Sequence, residues 1–190
     1  SQISTTVDGQ GATGDGGNIN INAGSITITD DGFINSGTSG AGTAGNINIV
    51  VNDDISLTDG RISVTSSSDR KAGDLSIMAD GLILELNSIL TAESATVNGG
   101  NIFLTLNDLL LLRNNSQVTA TGGTAQAGGN GGNIVIDAPF IVAVPSENSD
   151  ITANAFSGSG GQINITADGV FGIEPRDRKS TRLNSSHPSR

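Results

Sequence analysis

Residues 45–72 read GNINIVVNDDISLTDGRISVTSSSDRKA. Three short runs carry apolar residues at alternate positions: Ile47/Ile49, Ile55/Leu57 and Ile62/Val64. Alternation at period two sends such residues to one face of a β-strand. Asn52-Asp53-Asp54 and Asp59-Gly60 separate the runs, and these are turn-forming residue types. The opening, a Gly, a polar residue and an alternating apolar pair, recurs along the chain. Its glycines are Gly17, Gly45, Gly73, Gly100, Gly132 and Gly161, spaced 28, 28, 27, 32 and 29 residues apart. The residues after them are Asn18, Asn46, Asp74, Asn101, Asn133 and Gln162. The apolar pairs are Ile19/Ile21, Ile47/Ile49, Leu75/Ile77, Ile102/Leu104, Ile134/Ile136 and Ile163/Ile165.

The other two runs repeat as well. The second includes Ile26/Ile28, Ile55/Leu57, Leu82/Leu84, Leu110/Leu112 and Ile141/Ala143; the third includes Ile34, Ile62/Val64, Ile89, Val118/Ala120 and Ile151/Ala153. Ile3 reads as the third run of an earlier period. Thr27, Ser56, Ser63, Ser76 and Asn164 are out of phase with the apolar positions and are expected to face water. A fixed period with three strands and three corners describes a coil (a solenoid) and not a row of hairpins. The expectation is all-β: a single-stranded parallel β-helix of about six coils of roughly 28 residues, spanning residues 1–176. Equivalent residues of successive coils then lie about 4.8 Å apart. Aliphatic ladders fill the interior, and the Asn ladder at the corner is expected to pair side-chain amides up and down the stack. The loops at 37–44, 66–72, 121–131 and 155–160 vary most in length, which places them outside.

Composition agrees. Of 190 residues 27 are Gly and only 4 Pro, Trp and Tyr are absent, and Gly follows no three-residue rule, which excludes collagen. The net charge of −10 argues against nucleic acid and against anionic membrane surfaces. No cysteine is present, so neither disulfides nor thiolate chemistry enter. No apolar run is long enough to span a membrane, and residues 1–7 do not form a signal peptide. The string DRKSTRLNSSH at 177–187 resembles the translation of a sequencing-adapter oligonucleotide. Residues 177–190 hold 4 of the 9 basic residues and the single His187, and they are expected to stand apart from the fold. The natural chain is expected to continue beyond both ends of the β-helix.

The stretches GNGGNIVIDAPFIVAVPSENSDITANAF (129–156) and GGQINITADGVFGIEPR (160–176) carry a family likeness. They resemble the filamentous-haemagglutinin-like large exoproteins of two-partner secretion, of the cyanobacterial type. The likeness extends over nearly all of residues 1–176. It implies a right-handed β-helix, secretion to the bacterial cell surface in association with the outer membrane, and a role in adhesion or surface coating. It also implies an outer-membrane secretion partner, although nothing in residues 1–176 corresponds to the family's secretion domain.

Candidate chemistry is sparse. Gly40-Ala41-Gly42-Thr43-Ala44-Gly45 matches G-x-G-x-x-G, but residues 46–51 after it have a strand pattern where dinucleotide binding requires a helix. The expectation there is a flexible surface loop. Asp30, Asp31, Asp53, Asp54 and Asp59 fall at corners, where stacked carboxylates repel unless a cation bridges them. Neighbouring corners carry Asn52, Asp80, Asn107 and Asp168, a mixture that relieves the repulsion without metal. Glu85 and Glu93 are isolated, and no nucleophile–base pair is recognisable. The segment PSENSD (145–150) reads as a protruding corner loop, a plain turn extension in preference to a binding loop. No catalytic, cofactor-binding or metal-binding residue is therefore assigned. The expected role is a non-enzymatic, adhesive shaft with a polysaccharide or cell-surface ligand. A polysaccharide-active enzyme and a Ca²⁺-stabilised surface-layer element are the alternatives.

Overall fold

The computed structural model describes residues 1–9 and 11–173. The expected tail, 177–190, and the last three residues of the expected repeat domain lie outside these.

The described residues form a parallel β-solenoid without α-helix. The third runs make one six-stranded sheet: Gln2–Val7, Phe33–Thr38, Arg61–Ser66, Ile89–Ser94, Gln117–Thr119 and Asp150–Thr152. The first and second runs share a ten-stranded sheet. In two coils they fuse into single strands, Leu75–Glu85 and Ile102–Leu112, so the corner between them is a bend within a strand. A register shift between Leu106 and Leu109 accommodates one extra residue at the bend of the second strand, where Asn107 and Asp108 stand opposite Asp80 alone.

Each strand pairs with its equivalent one coil away, always in parallel. Ile19, Ile47, Leu75, Ile102, Ile134 and Ile163 form one continuous ladder. Ile26, Ile55, Leu82, Leu110, Ile141 and Val170 form a second. Ile34, Ile62, Leu90, Val118 and Ile151 form a third. In the central coils these side chains are wholly buried, and all belong to one core. Each contributes on the order of 1.5–3 kcal/mol.

Two inward–outward expectations are corrected. The interior position of the fourth coil is Leu90, with Ala92, and not Ile89. Ile89 pairs with Arg61 and Gln117 in the outward column. Two adjacent aliphatics satisfy either phase of an alternating pattern, and pairing to the neighbouring coils chose between them. Ser63 points outward but is only 4% exposed, because Asn35 packs beside it and accepts its hydroxyl hydrogen bond at 2.9 Å. The strands of the third run also reach further than expected, taking in Gly37, Thr38 and Ser66.

The Gly-Asn corner is a ladder of a different chemistry from amide pairing. Each side-chain oxygen accepts the backbone N–H of its equivalent in the next coil. The bonds run Asn18 to Asn46 (2.8 Å), Asn46 to Asp74 (2.8 Å), Asp74 to Asn101 (2.8 Å), Asn101 to Asn133 (3.0 Å) and Asn133 to Gln162 (3.0 Å). Asp serves as well as Asn because only an acceptor is needed. The glycine before it is required by close approach. A Cβ on Gly100 or Gly132 would collide with the carbonyl oxygen of Gly73 or Gly100 in the coil before.

Candidate functional site

A second corner ladder, between the second and third runs, borders a groove. Asp31, Asp59, Asn87, Asn115 and Asn148 all adopt the left-handed conformation, with φ between 54° and 63°. Asp and Asn tolerate this conformation better than other residues with side chains. The next position is Gly32, Gly60, Ser88, Ser116 or Ser149. Where it is Ser88 or Ser116, the buried hydroxyl donates back to the carbonyl of Glu85 or Arg113. Amide bonds tie the column together, Asn115 to Asn87 at 2.8 Å and Asn148 to Asn115 at 3.1 Å. The sequence carried this as an Asp/Asn-Gly/Ser pair in each coil. Asp59-Gly60 is legible there as a turn, but the pairing of this corner with its equivalents in other coils depends on the stacking and is not visible in the sequence.

Outside the third-run sheet, along this corner, lies a groove of about 390 Å³. One wall is Asp31, Asp59 and Asn87. The adjoining column is Phe33, Arg61 and Ile89, stacked in register across three coils. Asn35 and Ser63 join them from the next outward column. The Arg61 guanidinium enters no ion pair among the described residues, whereas Arg70, Lys71 and Arg113 each have one. The groove therefore offers carboxylate, carboxamide, guanidinium, hydroxyl, aromatic and aliphatic groups on a floor held rigid by parallel pairing. No family model, no curated protein and no solved structure matches the chain.

Further along the same face stands Glu93. Burial pushes its carboxyl above the usual range, opposed by the Thr119 hydroxyl, which donates to it at 3.3 Å. Thr152 donates in turn to Thr119 at 3.2 Å. The neighbouring Thr91 hydroxyl is buried without a partner.

The other sequence candidates fall elsewhere. Among the described residues no group of three or more His, Asp, Glu or Cys is placed to hold a metal ion. Asp30 accepts from Thr29 at 2.9 Å, and Asp80 from Asn107 at 2.8 Å. Gly40, Gly42 and Gly45 are buried against Ala12, Gly14 and Gly17 of the preceding coil, where a Cβ would strike backbone. The G-x-G-x-x-G glycines thus serve stacking, and the strand Ile47–Val51 follows them. This loop is a laid-down rung of the solenoid: Ala41 N–H donates to Ala12 at 2.7 Å and Thr43 N–H to the Asp15 carboxylate at 2.7 Å. The Thr43 bonds hold the Asp15 carboxyl below the usual range.

The PSENSD corner is a structural clamp. Pro145–Glu147 forms one turn of 3₁₀-helix. From it Glu147 accepts both Arg113 Nε and Nη2 at 2.7 Å and the Asn114 N–H at 2.9 Å. The fork-like pairing is the strongest ion-pair geometry available to Arg. It lowers the Glu147 carboxyl to about 2.

Proposed function

We propose that this chain is a segment of a non-catalytic adhesive shaft, part of a secreted bacterial surface protein of the filamentous-haemagglutinin type. One observation carries the proposal: parallel pairing continues through successive coils, over continuous aliphatic ladders. Such stacking makes a stiff rod in which each coil depends on its neighbours. Its outer surface presents equivalent positions once per coil, suited to weak contacts that gain strength by repetition. The resemblance in residues 129–176 supplies the rest of the reading, including cell-surface placement and export through an outer-membrane partner.

The test is adhesion of particles coated with the purified protein to bacterial and eukaryotic cell surfaces and to immobilised polysaccharides. Retention under flow on at least one surface is expected, with no release of reducing ends from any polysaccharide offered. Particles that wash off every surface would overturn the adhesive reading, and saccharide release would replace it with an enzymatic one.

A further inference from the structure

We propose that the groove beside the left-handed corner binds an uncharged linear polysaccharide laid along the solenoid axis. This inference rests on the adhesive reading and specifies the contact that reading needs.

Geometry comes first. The wall column (Asp31, Asp59, Asn87) and the floor column (Phe33, Arg61, Ile89) each repeat once per coil. The repeat, about 4.8 Å, is close to the advance of one pyranose ring along an extended chain. Successive sugars therefore meet equivalent positions on successive coils.

Chemistry selects the ligand. Carboxylates accept hydroxyl hydrogens, Arg61 donates with only the longer-range attraction of Glu93 competing for it, and Asn87 does both. Planar groups of this kind take two neighbouring sugar hydroxyls at once. Phe33 and Ile89 supply an apolar surface for the C–H face of a pyranose ring.

Other ligand classes fit less well. Two carboxylates face one guanidinium in a chain of net charge −10, so uronate and sulfated chains are repelled. The guanidinium within the floor opposes a metal cation. An extended peptide would find no free backbone edge, because Arg61–Ser66 is paired on both sides, with Phe33–Thr38 and with Ile89–Ser94.

The experiment is calorimetric titration of the whole chain with cellohexaose, maltohexaose and hexagalacturonate. Saturable binding of at least one uncharged hexasaccharide is expected, and none of hexagalacturonate. Phe33→Ala and Arg61→Ala should each weaken binding about tenfold, with unchanged far-ultraviolet circular dichroism and melting temperature. Phe103→Ala, on the outer face of the other sheet, should bind as the parent does. The proposal is overturned if neither uncharged hexasaccharide binds, if hexagalacturonate binds as tightly, or if both groove variants keep parental affinity. Particles coated with a Phe33→Ala/Arg61→Ala double variant that adhere as well as parent particles would sink the groove and leave the adhesive reading standing. Parent particles that never adhere would sink the adhesive reading itself.

Discussion

Ile49 and Ser63 show how burial divides into two kinds on a β-solenoid. Ile49 is 1% exposed within the aliphatic core, where a carboxylate has no partner. Ile49→Asp should cost more than about 4 kcal/mol and leave the chain largely unfolded in thermal melts. Ser63 is nearly as hidden, but on the outer face, shielded by its own neighbours. Ser63→Asp would remove a donated bond and set a carboxylate against the Asn35 oxygen. A loss of roughly 1–3 kcal/mol is expected, smaller than for Ile49 but measurable by urea denaturation. Gly100 adds a third kind of constraint, exclusion by backbone. Gly100→Ala forces the Gly73 carbonyl away and should cost about 3 kcal/mol, at the upper end for overpacking. An equal cost at Gly24, which has open space around its Cβ position, would refute the close-approach account.

The turn Pro145–Glu147 shows how an element that interrupts the repeat is fastened to it. The third run of this coil, Asp150–Thr152, stays paired with that of the coil before, Gln117–Thr119, and beside them Glu147 bridges back to Arg113 and Asn114. The Glu147 carboxyl lies near 2 when folded against an ordinary 4.5. A carboxyl lowered by folding stabilises above its unfolded value and loses that contribution as pH falls toward the folded one. Stability from this clamp is therefore present above about pH 4.5 and disappears between there and about pH 2. Glu147→Gln should flatten the acid limb of the stability–pH curve across that window. An unchanged limb in pH-resolved thermal melts would show that the bridge contributes nothing.

For the whole molecule, stacking makes stability a property of neighbours. Central coils have a coil on each side, whereas the terminal coils of the described structure have one. The exposures agree: Ile47, Leu75 and Ile102 are fully buried, while Ile163, in the same ladder, is 41% exposed. At the other end the core opens into a hollow of about 280 Å³ lined by Ile3, Ile21 and Ile26. Amide hydrogen exchange should be slowest in Ile47–Val51, Leu75–Glu85 and Ile102–Leu112 and fastest in Gln2–Val7 and Ile163–Thr166. Uniform protection from end to end would mean that the solenoid opens only as a single unit.

The apolar alternation and the recurring Gly-Asn pair were enough by themselves to specify a stack of coils, because period-two patterning leaves one sheet face and a fixed repeat leaves one neighbour. Interior ladders such as Ile19, Ile47, Leu75, Ile102, Ile134 and Ile163 were legible for that reason. Only the tertiary structure placed Leu90 inward in preference to Ile89, since either satisfies alternation alone and cross-coil pairing decides. It also turned the corner asparagines into acceptors of backbone N–H groups, which depends on where the next coil's chain passes. The groove could not be read in advance. Asp31 and Phe33 belong to one coil, Arg61 to the next and Ile89 to the one after, and they share one surface because the coils lie about 4.8 Å apart, a separation set by parallel hydrogen bonding.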